Sequence, residues 1–237
     1  MRERAQALRV LGVEVEIGGH ETKELDAQLA VVSPGIAPSA PIIKDLLDAD
    51  IEVVSEVELA FRLARCDFLA VTGTNGKTTT TALIGHLLRT LGEDAVDAGN
   101  IGTPLAELAL RDTPPAWTAL ELSSFQLHDT PSIRPDVGVV TNLGPDHLDR
   151  YASADEYYAD KARLMANAHA GSKWVLNADD AEVLAHGQVE DGHAVEVLGL
   201  LPPLAYFVVV WAKGSLSLVD AAILEHCRPD AEIGAHL

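Results

Sequence analysis

Short apolar runs alternate with amphipathic stretches along most of the chain. The apolar runs have the length of buried strands, and the stretches between them carry apolar residues at helical spacing. We predict strands over residues 13–17, 31–32, 51–54, 68–72, 95–97, 117–122, 137–142 and 174–177. We predict helices over residues 1–10, 40–49, 56–65, 77–90, 104–110, 153–167 and 179–186. Repeated alternation of this kind predicts an α/β fold with a parallel sheet.

The same pattern divides the chain into three parts. A Rossmann-like parallel-sheet domain over residues 1–66 precedes an α/β domain of P-loop type over residues 67–187. A doubly wound domain usually opens with a strand and a glycine turn, whereas this sequence opens with a helix, so we expect that its start is missing. Residues 188–237 contain an apolar run followed by a helix-like pattern, and we assign them only as a divergent tail of uncertain fold.

The most informative stretch joins the predicted strand at 68–72 to the predicted helix at 77–90. It has the sequence GTNGKT, from Gly73 to Thr78. Two glycines let backbone N–H groups approach an anion, and the helix N-terminus adds partial positive charge. Lys77 is placed to reach terminal phosphates, and the Thr78 hydroxyl is placed to bind magnesium. The spacing is two residues shorter than the Walker pattern GxxxxGK[ST], so an ordinary turn remains the alternative.

Composition and charge narrow the classes of partner. The chain carries 17 Lys and Arg against 36 Asp and Glu, a net charge of −19, which makes nucleic acid and anionic membranes poor partners. A phosphate ligand therefore needs a local site. Cys66 and Cys227 form no metal-binding pair, and so few cysteines favour a reducing, cytoplasmic setting. We find no pattern of a signal peptide or of a membrane-spanning helix, and we expect a monomer.

Further polar residues follow the predicted strands, at the sheet edge where parallel α/β folds bind ligands. Glu121 ends one strand, as either a magnesium ligand or a solvated carboxylate. His147 lies in a D-H-x-D cluster and is suited to binding metal or orienting substrate, although a lone histidine is usually structural. Asn100 either contacts a ligand or caps its own loop. From its helical spacing alone, Lys161 is a solvated residue, and His128 has no evident partner and receives no role.

Several linked segments together resemble a known family. They read GTNGKTTTT, AGNIG, ELSSFQL, TNLGPDHLDRY and a YxxxK pattern that ends at Lys161. In this order and spacing they resemble the Mur ligases over residues 1–186, which implies the Mur ligase type of central domain. The segments SPGIAP at residues 33–38 and ELSSFQL are most similar to the members that join D-glutamate to UDP-N-acetylmuramoyl-L-alanine.

The resemblance implies an ATP- and Mg²⁺-dependent amide ligase. ATP phosphorylates the carboxylate of UDP-N-acetylmuramoyl-L-alanine, and the amine of D-glutamate attacks the acyl phosphate. The catalytic residues implied are Lys77, His147 and Lys161, the last as a carbamate. The ATP-binding residues implied are Gly73, Thr74, Asn75, Gly76, Lys77, Thr78 and Thr79. The magnesium ligands implied are Thr78, Glu121, His147 and carbamylated Lys161. The substrate contacts implied are Ser33, Gly35, Asn100, Ser123, Gln126 and His147.

The sequence also departs from the family pattern. Tyr151 replaces a histidine that often follows the DHLDR run. We find no HNxxN segment, which helps to hold adenine in the family, and we expect the opening uracil loop and the C-terminal domain to be absent. Two alternatives therefore stay open: a sister ligase with another amino-acid acceptor, and a nucleotide-binding fragment without catalysis. A regulatory GTPase is disfavoured because no guanine-reading NKxD motif follows the phosphate loop.

Overall fold

The computed structural model describes residues 2–19, 27–169 and 171–187. By their contacts these residues form two units. The smaller unit is drawn from residues 1–53 without 31–35, and the larger unit from residues 31–35 and from residue 54 onward. The predicted domain boundary near residue 66 stays a prediction. The tail predicted over residues 188–237 lies outside the described residues.

The N-terminal part of the chain contributes two helices and two short strands. They are α1 (Arg2–Val10), β1 (Leu29–Val32), α2 (Pro41–Asp48) and β2 (Glu52–Ser55). β1 pairs with β2 in a two-stranded sheet. Helix α2 begins at a proline, whose fixed φ and missing N–H are tolerated in a first helical turn.

The strand predicted over residues 13–17 is wrong, because these residues form neither helix nor strand. The side chains of Val13 and Ile17 stay 46% and 49% exposed. Within the described chain the alternating pattern therefore has no apolar layer to pack on. Alternation alone does not make a strand stable without a partner and a buried face.

The remaining elements alternate along the chain and build one parallel sheet. The helices are α3 (Glu56–Leu63), α4 (Lys77–Thr90), α5 (Leu105–Ala109), α6 (Ser124–His128), α7 (Ala154–Ala162) and α8 (Ala181–His186), with a 3₁₀ turn at Arg163–Met165. The strands are β3 (Asp67–Thr72), β4 (Ala95–Gly99), β5 (Trp117–Glu121), β6 (Val137–Val140) and β7 (Lys173–Leu176). Their order in the five-stranded sheet is β4-β5-β3-β6-β7, and each neighbouring pair is parallel. The predicted parallel α/β class is confirmed.

The continuous apolar run of β3 is explained by burial on both faces of the sheet. Phe68 and Ala70 pack into one apolar cluster, while Leu69 and Val71 pack into a second one. All four side chains are at most 4% exposed. A strand covered on both faces has no reason to alternate with polar residues, as is usual in parallel sheets.

Helix α6 is the element that the apolar pattern missed, because five residues are too short to show helical periodicity. Its start is marked by a capping box, in which Ser123 and Gln126 each bind the backbone N–H of the other. The S-x-x-Q spacing was therefore the available signal. Helix α7 is shorter than predicted, since its last part continues as the 3₁₀ turn.

Among the described helices, none combines the length and the apolar character needed to cross a membrane.

Substituting Gly138 tests the packing of the sheet. Gly138 pairs with Trp174, and a Cβ at Gly138 would lie 2.0 Å from an indole carbon. Because the ring is rigid and buried, we expect Gly138→Ala to lower the free energy of unfolding by about 1–3 kcal/mol. Gly144→Ala is the control, since a Cβ there meets no atom within 4 Å. Urea unfolding measures both variants, and equal stabilities would contradict the packing described.

Candidate functional site

Three strand ends meet at one edge of the parallel sheet. β3 lies between β5 and β6, so their carboxyl ends are neighbours. β3 leads into the phosphate loop, β5 ends at Glu121, and β6 leads into Thr141 and Asn142. The chain leaves β3 for β4 on one side and later returns to β6 on the other, which makes this edge a topological switch point. Open parallel sheets bind ligands at such points.

Two glycines shape the loop between β3 and α4. Gly76 precedes α4 directly and has a φ of 80°. Gly73 has a φ of 140°, and an ideal Cβ there would lie 2.0 Å from the Thr141 Oγ1. Any side chain at Gly73 would push the loop away from the end of β6. The loop thus lies against that segment and opens into the N-terminus of a 14-residue helix, where backbone N–H groups attract anions.

Asn142 holds this loop, a role that the sequence analysis did not assign. The backbone N–H of Thr74 donates to the Asn142 carbonyl at 2.8 Å. The Asn142 side chain accepts from the Asn75 N–H at 2.9 Å and donates to the Asn75 carbonyl at 2.8 Å. Thr141 adds a hydrogen bond from its hydroxyl to the same carbonyl at 2.7 Å. Both residues were predicted inside a strand, but β6 ends at Val140, which leaves their side chains available to the loop.

Two lysine ammonium groups donate to carbonyls of the same loop. The Lys77 Nζ lies 2.9 Å from the Thr74 carbonyl oxygen, and the Lys161 Nζ lies 2.7 Å from that of Gly73. Burial lowers the pKa of Lys77. Burial, reinforced by the charge of Lys77, lowers the pKa of Lys161 to about 7. Lys161 is 2% exposed, so the solvated position expected from helical spacing alone is wrong.

Glu121 is a buried carboxylate, and one of its oxygens has no hydrogen-bond partner within the described residues. Its side chain is 1% exposed, which rules out the solvated alternative. The Oε1 accepts a hydrogen bond from the Asn100 Nδ2 at 2.8 Å. The Oε2 is buried and has no hydrogen-bond partner within the described part of the chain. A buried carboxylate oxygen is costly without a partner, so this arrangement favours a cation beside it.

His147 lies at the rim of the same edge. Its side chain is 47% exposed, and its Nε2 lies 3.7 Å from the Asp146 Oδ2. The Tyr157 ring connects it to the loop, because its centroid lies 6.0 Å from the His147 ring and 4.5 Å from the Lys161 Nζ. Thr78, in the first turn of α4, is exposed. No group of three or more His, Cys, Asp or Glu side chains suited to a metal occurs within the described residues.

A cavity of about 430 Å³ lies at the carboxyl end of β4, within the larger unit. It is lined by Val31, Val32, Ser33, Pro34, Ser55, Glu56, Val57, Gly99, Asn100 and Gln126. Three of the residues predicted to contact substrate thus share one cavity, namely Ser33, Asn100 and Gln126. Gly35, Ser123 and His147 do not line it, and Ser123 instead completes the capping box of α6.

Asp160, a buried carboxylate next to Lys161, was not predicted from the sequence. Asp160 binds the Nδ1 of His128 at 2.9 Å, the hydroxyl of Tyr151 at 3.0 Å and the Nε of Arg163 at 3.0 Å. Its hydrogen bond raises the pKa of His128. Burial opposes the ionisation of Asp160, but the hydrogen bonds and charges of His128, Tyr151 and Arg163 together outweigh it and keep the pKa of Asp160 below its usual value. These contacts join α6 to α7, and no spacing in the sequence predicts them.

Comparison with known proteins agrees with this geometry. Residues 71–199, more than half of the chain, match the family model described as Mur ligase middle domain. The UDP-N-acetylmuramoylalanine–D-glutamate ligase of Thermobifida fusca (strain YX) is 39% identical over 228 residues, covering 94% of this chain and 47% of that protein. The enzyme of the same name from Frankia casuarinae is 46% identical over 178 residues, covering 75% of this chain and 37% of that protein. The chain spans less than half the length of these curated relatives.

A solved structure supports the fold alone. The ligase described as UDP-N-acetylmuramate:L-alanyl-gamma-D-glutamyl-meso-diaminopimelate ligase from Neisseria meningitides superposes with a TM-score of 0.51 at 18% identity, covering 77% of this chain and 62% of that one. The parallel sheet, the phosphate loop and the family match point in the same direction, and the resemblance predicted from the sequence is confirmed. The chain belongs to the Mur ligase family.

Proposed function

We propose that this chain forms part of an ATP-dependent ligase that adds D-glutamate to UDP-N-acetylmuramoyl-L-alanine during peptidoglycan precursor synthesis. One observation carries the proposal: the half-buried Lys77 and the buried Lys161 both donate to the phosphate loop, and the neighbouring strand ends at Glu121, whose buried Oε2 has no hydrogen-bond partner within the described residues. This arrangement suits phosphoryl transfer, in which positioning and charge neutralisation provide most of the catalysis. The names of the relatives, at 39–46% identity, supply the two substrates.

The phosphate loop is the proposed ATP site. The backbone of residues 73–79 and the N-terminus of α4 face the phosphates, and Lys77 releases the Thr74 carbonyl to bind the β- and γ-phosphates. A substrate carboxylate attacks the γ-phosphorus, the bond to the β-phosphate oxygen breaks, and ADP leaves an acyl phosphate behind. The amine of D-glutamate then attacks the acyl carbon, and phosphate leaves as the amide forms. Positive charge at the loop stabilises the transferring phosphoryl group.

Magnesium fits the residues present at this edge. The unpartnered Oε2 of Glu121 and the exposed hydroxyl of Thr78 are hard oxygen donors, the type that Mg²⁺ prefers. His147 and a carbamylated Lys161 are proposed to hold a second ion. When bound, the ions neutralise phosphate charge and so favour attack by a carboxylate.

Lys161 is suited to carbamylation. Its pKa of about 7 leaves much of the amine uncharged at neutral pH, and the uncharged amine adds CO₂. The neutral nitrogen forms a bond to the carbon of CO₂ and loses one proton, so an uncharged amine becomes an anion with two oxygen donors. The Tyr157 ring and the Gly73 carbonyl hold the nitrogen in place beside the loop.

The cavity at the end of β4 is the proposed place of the UDP-muramoyl substrate. Ser33, Asn100 and Gln126 line it, with Gly35 next to Pro34 in the chain and Ser123 holding Gln126 through the capping box. Asn100 also bonds Glu121, so the cavity and the proposed metal ligand are directly joined.

The acceptor amino acid is tested by turnover. We expect the purified protein, given ATP, Mg²⁺ and UDP-N-acetylmuramoyl-L-alanine, to release phosphate only when D-glutamate is added. The assay includes glycine, L-lysine and meso-diaminopimelate as matched acceptors. Turnover with one of these in place of D-glutamate would indicate a sister ligase, and ATP binding without any turnover would indicate a nucleotide-binding fragment.

Removing the Lys77 ammonium tests the ATP site. We expect Lys77→Ala to weaken the binding of a non-hydrolysable ATP analogue about 10- to 100-fold, because a charged hydrogen bond to phosphate is lost. Lys44→Ala, which removes an exposed lysine of α2, is the control and should bind the analogue like the unsubstituted chain. Calorimetry measures both affinities. Equal affinities in the two variants would refute the assignment of Lys77.

Carbamylation of Lys161 is tested by ¹³C NMR in ¹³C-bicarbonate. We expect a carbamate resonance that grows from pH 6 to pH 8, because the amine is protonated below its pKa of about 7 and uncharged above it. Lys161→Ala should lack this resonance, whereas Lys173→Ala, at another lysine of the same unit, should retain it. A resonance that persists in Lys161→Ala would contradict the assignment.

A further inference from the structure

Arg150 contacts both a residue that lines the cavity and a residue next to its lining. Its Nη1 donates a hydrogen bond to the Pro34 carbonyl at 2.8 Å. Its guanidinium carbon lies 3.9 Å from the centroid of the Phe125 ring. Pro34 lines the cavity, and Phe125 directly precedes Gln126, which also lines it. One side chain thus joins two segments of the cavity wall that are far apart in sequence.

The backbone around Arg150 is itself constrained. The N–H groups of Arg150 and Tyr151 both donate to the His147 carbonyl, at 2.9 and 3.2 Å. His147, at the start of this turn, adopts the left-handed backbone conformation with a φ of 52°. The centroid of the His147 ring lies 4.8 Å from that of the Phe125 ring. The Tyr151 ring stacks on the Phe125 ring, with their centroids 5.9 Å apart. The turn over residues 147–151 therefore contacts the Phe125 ring through the side chains of His147, Arg150 and Tyr151.

We propose that Arg150 is a positioning residue that holds the segment Ser33–Gly35 against α6 and thereby sets the width of the cavity. Arg150 does not line the cavity itself, so it acts through Pro34 and Phe125. Arginine suits the role because a planar guanidinium stacks on a ring and donates a hydrogen bond in its own plane at the same time. A lysine ammonium keeps the charge but lacks this geometry.

The inference rests on the proposed function, because it takes the cavity to be the site of the UDP-muramoyl substrate. Arg150→Ala should weaken the binding of UDP-N-acetylmuramoyl-L-alanine roughly tenfold, since one wall of the cavity loses its attachment. Affinity for a non-hydrolysable ATP analogue should stay within about twofold, because the phosphate loop is held by other contacts. The affinity of Arg150→Lys for the UDP ligand should lie between those of Arg150→Ala and of the unsubstituted chain. Arg111→Ala, at an exposed arginine, should bind this ligand like the unsubstituted chain.

The experiment uses calorimetry with each ligand and hydrogen exchange on the same samples. We expect faster exchange of the backbone amide of Gly35 in Arg150→Ala, with unchanged exchange in α4. Tight binding of the UDP ligand by both the unsubstituted chain and Arg150→Ala would overturn this inference alone. Equal weakening of both ligands in Arg150→Ala would overturn it as general destabilisation. An unsubstituted chain that binds the ATP analogue but no UDP ligand would overturn the proposed substrate, and this inference with it.

Discussion

The close approach of Gly73 to the end of β6 is the constraint on which the site depends. There is no room for a side chain between this glycine and Thr141, so the phosphate loop lies directly against the segment after β6. Asn142 holds the loop in this position and so fixes the orientation of its carbonyl groups. Lys77 donates a hydrogen bond to the Thr74 carbonyl, and Lys161 donates one to the Gly73 carbonyl. A displaced loop would separate the two lysines from their acceptors.

Local positive charge at the phosphate loop offsets the acidity of the chain as a whole. The net charge of −19 disfavours polyanions over the surface as a whole. At the loop, the Lys77 ammonium and the N-terminus of α4 supply positive charge. Burial makes this arrangement responsive, since it lowers the pKa of both lysines and brings that of Lys161 to about 7. The charge of Glu121 opposes this lowering at both lysines, so the carboxylate and the two lysines are electrostatically linked.

What could be predicted from the sequence was mostly local. The strand, glycine turn and helix of residues 67–90 follow from contiguous residues, and their bounds were predicted closely. Burial of Lys161 was not predictable from spacing, because it results from packing of α7 on the phosphate loop, 88 positions away in sequence. The contact between His128 and Asp160 is likewise tertiary. Only the resemblance to a family placed Lys161 in the site, and the strand at 13–17 failed because its pattern has no layer to pack on within the described chain.

The capping box of α6 has a consequence for what the cavity presents to a ligand. The Oε1 of Gln126 accepts from both the N–H and the hydroxyl of Ser123, so the amide is turned with its nitrogen away from the helix start. Asn100 is turned the other way, because its nitrogen donates to Glu121. Within the part of the chain that the structure describes, Gln126 therefore uses its amide oxygen in hydrogen bonds to the protein and keeps its nitrogen for other partners. Asn100 uses its amide nitrogen and keeps its oxygen.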